Sequence, residues 1–106
     1  MKTAQILSIL ITLVLVASGC RRPTQEDRDN RRLLDAILTT ITIKNARLLD
    51  DNEQWAQSRH DAGQLTDGEF DSMTAIIAKA RRGDWSRAEA DGYAFRKKRP
   101  FVREGQ

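Results

Sequence analysis

The longest apolar run in this chain lies ahead of its only cysteine, and that placement limits what the rest can fold into. From Ile6 to Ala17 the run is broken only by Ser8 and Thr12, follows Met1-Lys2-Thr3 with its single positive side chain, and ends in Ala17-Ser18-Gly19-Cys20 before Arg21-Arg22. A spanning helix needs about 20 predominantly apolar residues to cross the hydrocarbon core, so this run is too short for a span. A charged start, an apolar middle and a small-residue end form the layout of a secretory signal that is cut away. The folded domain must therefore build its core from the scattered aliphatic residues after Cys20.

Val16-Ala17-Ser18-Gly19-Cys20 resembles the lipobox of bacterial lipoproteins, with Ala17 where Leu is commoner. The resemblance implies diacylglyceryl attachment at the Cys20 thiol, cleavage after Gly19, and acylation of the new amino terminus. A thiolate is the nucleophile suited to thioether formation. Each buried acyl methylene contributes roughly 0.8 kcal/mol, so two or three chains anchor stably where one would exchange. Arg21 stands where enterobacterial inner-membrane lipoproteins carry Asp, so the resemblance points to the outer rather than the inner membrane.

Loss of residues 1–19 removes Lys2 alone from the 18 Lys and Arg, leaving 17 against 15 Asp and Glu, a net of +2. Neither sign dominates the mature chain. Cys20 is the single cysteine, so there is no intramolecular disulfide, although an exported protein could carry one. One small domain stabilised by packing is expected, near the size at which a single core becomes marginal.

The expected fold is all-α, a small antiparallel bundle of about three helices. Residues 20–32 read as a charged tether or the first turns of a helix, with Thr24 as N-cap and Glu26 and Asp27 at the positive end of the dipole. The helical domain spans 33–99. Leu33, Leu34, Ile37, Leu38 and Ile41 form one face, and Leu34, Ile41, Leu48 and Trp55, seven apart, extend it as a stripe. The first helix then runs to about His60, either unbroken or restarted at Asp50-Asp51-Asn52-Glu53 with Asp50 as cap. Gly63 closes it in a left-handed conformation. Thr66 and Glu69 make a capping box, with Leu65 and Phe70 as hydrophobic staple, for a second helix from Asp67 to about Arg82 that Gly83 ends. Asp84 or Ser86 caps a third, weakened by Gly92 and ending before Pro100, with 100–106 as a tail.

Two turns carry further resemblances. Residues 63–70, Gly-Gln-Leu-Thr-Asp-Gly-Glu-Phe, are similar to the turn of SHOCT helical hairpins, and Gly83-Asp84-Trp85-Ser86-Arg87-Ala88 resembles the inter-helix turn of a tetratricopeptide repeat. Each occurs once, whereas repeat proteins stack several units. Neither implies a function here.

The chemistry-bearing residues do not assemble into a catalytic set. His60 is the sole histidine, and Asp61 beside it on a helix points elsewhere. Asp67, Glu69 and Asp71 alternate as in a calcium loop, but Ser72 and Ala78 replace the required Gly and Glu. No enzyme activity, metal, cofactor or small-molecule substrate is therefore expected. The basic cluster Arg96, Lys97, Lys98 and Arg99 suits a polyanion, and since export argues against nucleic acid, anionic lipid, lipopolysaccharide or cell-wall polymer are the candidates. Leu48 and Trp55, if left uncovered, form a face for an envelope protein partner. The expected function is a lipid-anchored, non-catalytic helical adaptor or scaffold on the periplasmic or outer side of a bacterial envelope, with polyanion binding as the alternative.

Overall fold

The structure, a computed structural model, describes residues 24–102, and these form four helices: α1 Gln25–Thr42, α2 Ala46–Asp61, α3 Asp67–Arg81 and α4 Trp85–Lys98. Cys20, Gly19 and the apolar run before them lie outside the described residues. The all-α expectation is met, but with four helices in place of three. Among the described residues no helix is long and apolar enough to cross a membrane.

The additional helix arises at residues 43–45. A single helix continuing to His60, about 50 Å long at roughly 1.5 Å per residue, is not what forms. Lys44 adopts φ 54. Its N–H donates to Ile41 O at 3.0 Å, and the Asn45 N–H to Thr40 O at 3.1 Å. This pair of bonds is the Schellman closure, made here by lysine where glycine is usual. Asn45 then caps α2, its side-chain oxygen accepting from Arg47 N at 3.2 Å and Leu48 N at 3.4 Å. The break expected at Asp50–Glu53 is absent, and Asp50 does not cap. Both carboxylates lie mid-surface and bind Arg81.

The same closure ends α2 and α3, where glycine was expected. Gly63 (φ 72) and Gly83 (φ 82) donate to His60 O and Ala80 O, while Gln64 and Asp84 donate to Arg59 O and Lys79 O. At α3 the capping box is complete, with Glu69 N to Thr66 Oγ1 at 3.1 Å and Thr66 N to Glu69 Oε1 at 3.0 Å. Thr24 caps α1 by accepting from Asp27 N. Asp84 takes the N-cap position of α4 without a side-chain cap bond.

Short connections make successive helices antiparallel, and cross-helix bonds place α1 between α2 and α4. Arg59 near the end of α2 reaches Asn30 near the start of α1, and Arg81 at the end of α3 reaches Asp50 early in α2. Lys79 of α3 pairs with Asp91 of α4, and Arg99 after α4 reaches Asp27 at the start of α1. The ring of contacts closes an up-down-up-down four-helix bundle. Leu33, Leu34, Ile37, Ile41, Leu49, Met73 and Ile77 fill its centre, and Phe70, Trp85 and Phe95 pack around them.

The turn at Lys44 resets the helical register of α2. Leu49, Asn52, Ala56 and Arg59 face inward, whereas Leu48 and Trp55, expected to continue the inner stripe of Leu34 and Ile41, stand at the edge, 37% and 39% exposed. Residues 25–32 are the first turns of α1, with Asn30 already buried. Phe101, placed in a tail by sequence, is buried edge-on against Phe95 at 6.1 Å.

Candidate interaction surfaces

The basic cluster does not act as one unit. Helical spacing turns Arg96 toward α1, where its guanidinium meets Asp35 at 3.5 Å and lies over the Tyr93 ring at 5.0 Å. Arg99 bridges Glu69 at 2.8 Å and Asp27 at 3.1 Å and covers the Phe101 ring at 4.3 Å. Both are thus committed to carboxylates of the same fold. Lys97 and Lys98 are exposed and make no ion pair among the described residues.

Leu48 and Trp55 flank Asn52 at spacings of four and three, so the three share one stripe of α2. Asn52 points to α1, its Nδ2 donating to Thr40 Oγ1 at 2.7 Å. Leu48 and Trp55 therefore occupy the edge of α2 that borders α1. Ile43, 59% exposed, sits at the turn joining those two helices.

A second surface lies between α1 and α4. A groove of about 300 Å³ is lined by Asp35, Leu38, Thr39, Thr42 and Ile43 on one side and Tyr93 and Arg96 on the other. Gly92 allows these helices to approach, since a Cβ there would stand 2.6 Å from Leu38 Cδ2. Tyr93 is 44% exposed.

Charge is divided between the two halves of the bundle. α2 and α3 carry four Lys or Arg against seven Asp or Glu, a net of −3. α1 and α4 carry seven against six, a net of +1.

His60 is held by its surroundings. Its ring stacks on Phe70 with centroids 4.3 Å apart and 7° between planes, and Nε2 lies 2.6 Å from Asp67 Oδ1. If the ring is neutral, Nε2–H is the donor and Nδ1, which is buried, has no partner. Asp61 turns away and accepts from Gln57 at 2.8 Å. Asp67, Glu69 and Asp71 diverge, to His60, to Arg99 and to solvent respectively. No cluster of three or more His, Cys, Asp or Glu among the described residues is placed to hold a metal.

Sequence reasoning missed the polar groups inside the bundle. Arg59, 8% exposed, donates from Nε to Asn30 Oδ1 at 2.6 Å and from Nη2 to Glu26 O at 3.3 Å. Asn30 Nδ2 in turn donates to Gln64 O at 2.9 Å. This network joins α1, α2 and the loop before α3. The raised pKa of Arg81, caused first by its hydrogen bond to Glu53 and then by that to Asp50, keeps an already cationic group charged. The chain was compared with protein-family models, with curated proteins and with solved structures, and none of them matches it.

Proposed function

We propose that this chain is a small lipid-anchored protein of a bacterial envelope, held by Cys20, whose helical bundle works as a non-catalytic adaptor. The outer membrane is the proposed location. The anchor rests on the Val16-Ala17-Ser18-Gly19-Cys20 pattern. The adaptor reading rests on one observation: Leu48 and Trp55 share the edge of α2 that borders α1, each more than a third exposed. Tryptophan is enriched among the residues that carry binding energy at protein interfaces, and Trp55 with Leu48 beside it offers such an anchor. The alternative, a polyanion site made of Arg96, Lys97, Lys98 and Arg99, has less support. Two of its four cations already neutralise Asp35, Asp27 and Glu69.

The test is a photo-crosslinking residue at Leu48 or Trp55 in living cells, with Cys20→Ala as control. One dominant protein adduct that disappears with Cys20→Ala is the expected result. Adducts spread over abundant envelope components, no denser at these positions than at exposed Gln54, would remove the adaptor reading. Cys20→Ala that still matures and stays with membranes would remove the anchor.

A further inference from the structure

We propose that the α1–α4 face is a docking surface for anionic phospholipid, so that the bundle lies on the membrane with this face down. The inference rests on the anchor reading above and adds to it an orientation. Along α1, Arg28, Arg32, Asp35 and Thr39 follow spacings of four, three and four, and so form one outer stripe. Along α4, Tyr93 and Lys97 are four apart on one stripe, and Tyr93 lines the groove between α1 and α4.

Arg28 and Lys97 have no carboxylate partner among the described residues, and Arg32, with its side chain 73% exposed, is only 3.9 Å from Asp29. These cations lie toward the end of the bundle where α1 begins. Ile43 and Tyr93 sit further along as exposed apolar groups beside the groove. Exposed cations beside a half-exposed tyrosine on one face suit the interfacial layer of an anionic bilayer, where Lys and Arg meet phosphate and Tyr is a favoured residue.

Charge and tether length favour lipid as the occupant. Helices α2 and α3 carry −3, or −2 with Arg82 at the end of α3, so an anionic surface repels their side and favours that of α1 and α4, which carry +1. Cys20 precedes Gln25 by five residues, which span no more than about 18 Å when extended. A tether of this length lets the Arg28 end of the stripe come within a Debye length, about 8 Å, of the headgroups. This orientation leaves the Leu48 and Trp55 edge clear of the bilayer.

The test uses the lipidated protein with Thr39→Cys or Gln57→Cys as its one unacylated thiol. Thr39 is on the proposed face, and Gln57 is on the outer side of α2. Labelling by a bulky water-soluble maleimide is followed on vesicles of phosphatidylcholine alone and of phosphatidylcholine with phosphatidylglycerol. On the anionic vesicles, Thr39→Cys should react about tenfold more slowly, while Gln57→Cys is unchanged. Combined Arg28→Glu, Arg32→Glu and Lys97→Glu, or high salt, should restore the rate. Equal rates at Thr39→Cys on both vesicles, or protection that survives the triple reversal, would overturn the proposal. Protection in cells without protection on anionic vesicles would assign the face to a protein and equally overturn it. Peptide mass spectrometry separates this inference from the anchor, since an unacylated Cys20 together with anionic-lipid protection at Thr39→Cys removes the anchor and supports the face.

Discussion

Two residues decide how the first half of the chain folds. Lys44 takes a left-handed conformation that costs a non-glycine residue roughly 1 kcal/mol. Lys44→Gly should therefore raise stability by about 0.5–1 kcal/mol, visible as a higher midpoint in chemical denaturation with an unchanged slope. A loss of stability would mean that the lysine side chain contributes more than its backbone strain costs. Arg59 is the second. Its guanidinium holds Asn30 and the Glu26 carbonyl in a nearly dry site, and hydrogen bonds to charged groups contribute about 1.5–3 kcal/mol. Arg59→Ala should cost about 2–3 kcal/mol in the same measurement, whereas Arg87→Ala, whose exposed side chain pairs only with Asp84 three residues away, should cost less than about 1 kcal/mol.

Helix ends and helix contacts differ in how openly the sequence announces them. Thr66 with Glu69, Gly63 and Gly83 are local signals, because a cap or a left-handed closure needs only neighbouring residues, and each is found where it was expected. The α1–α2 break carries no glycine, and its one signal is Asn45, a good N-cap that also lies four residues after Ile41 and three before Leu48, as a residue of one continuous helix would. In the sequence Gly92 only weakens α4, yet in the fold its role is contact, since only a missing side chain lets Leu38 come so near. Gly92→Leu should destabilise by about 1–3 kcal/mol through overpacking. Ala94→Leu, exposed on the same helix, should change stability by less than about 0.5 kcal/mol. Equal thermal midpoints for the two variants would show that α1 and α4 are not closely packed at Gly92.

At the scale of the molecule, four short helices share one core, so a charge at its centre affects all of them. Ile41 is 1% exposed, and Ile41→Asp places an unpaired carboxylate among Leu34, Ile37 and their neighbours. A cost of several kcal/mol is a large part of the stability of a domain this small, so the variant should lose helical circular dichroism and cooperative melting. A native spectrum and melt would mean that this inner face is misplaced. The bundle also sorts its exposed groups, with apolar residues at the α1–α2 edge and uncommitted cations on the α1–α4 face. That sorting is a consequence of the ring order of the helices, which no single helix encodes.

The sequence by itself determined the all-α class, the caps at Thr24 and Thr66, the closures at Gly63 and Gly83, and the apolar face of α1. All depend on residues within a turn or two of one another. Only the tertiary structure decided that Leu49 and not Leu48 faces inward, that Arg96 and Arg99 are spent on carboxylates up to 72 residues away, and that Phe101 closes the core. The physical reason is that burial and ion pairing are settled between helices. A three-residue turn that rotates α2 relative to α1 changes every such contact downstream while leaving the helical pattern of the sequence almost untouched.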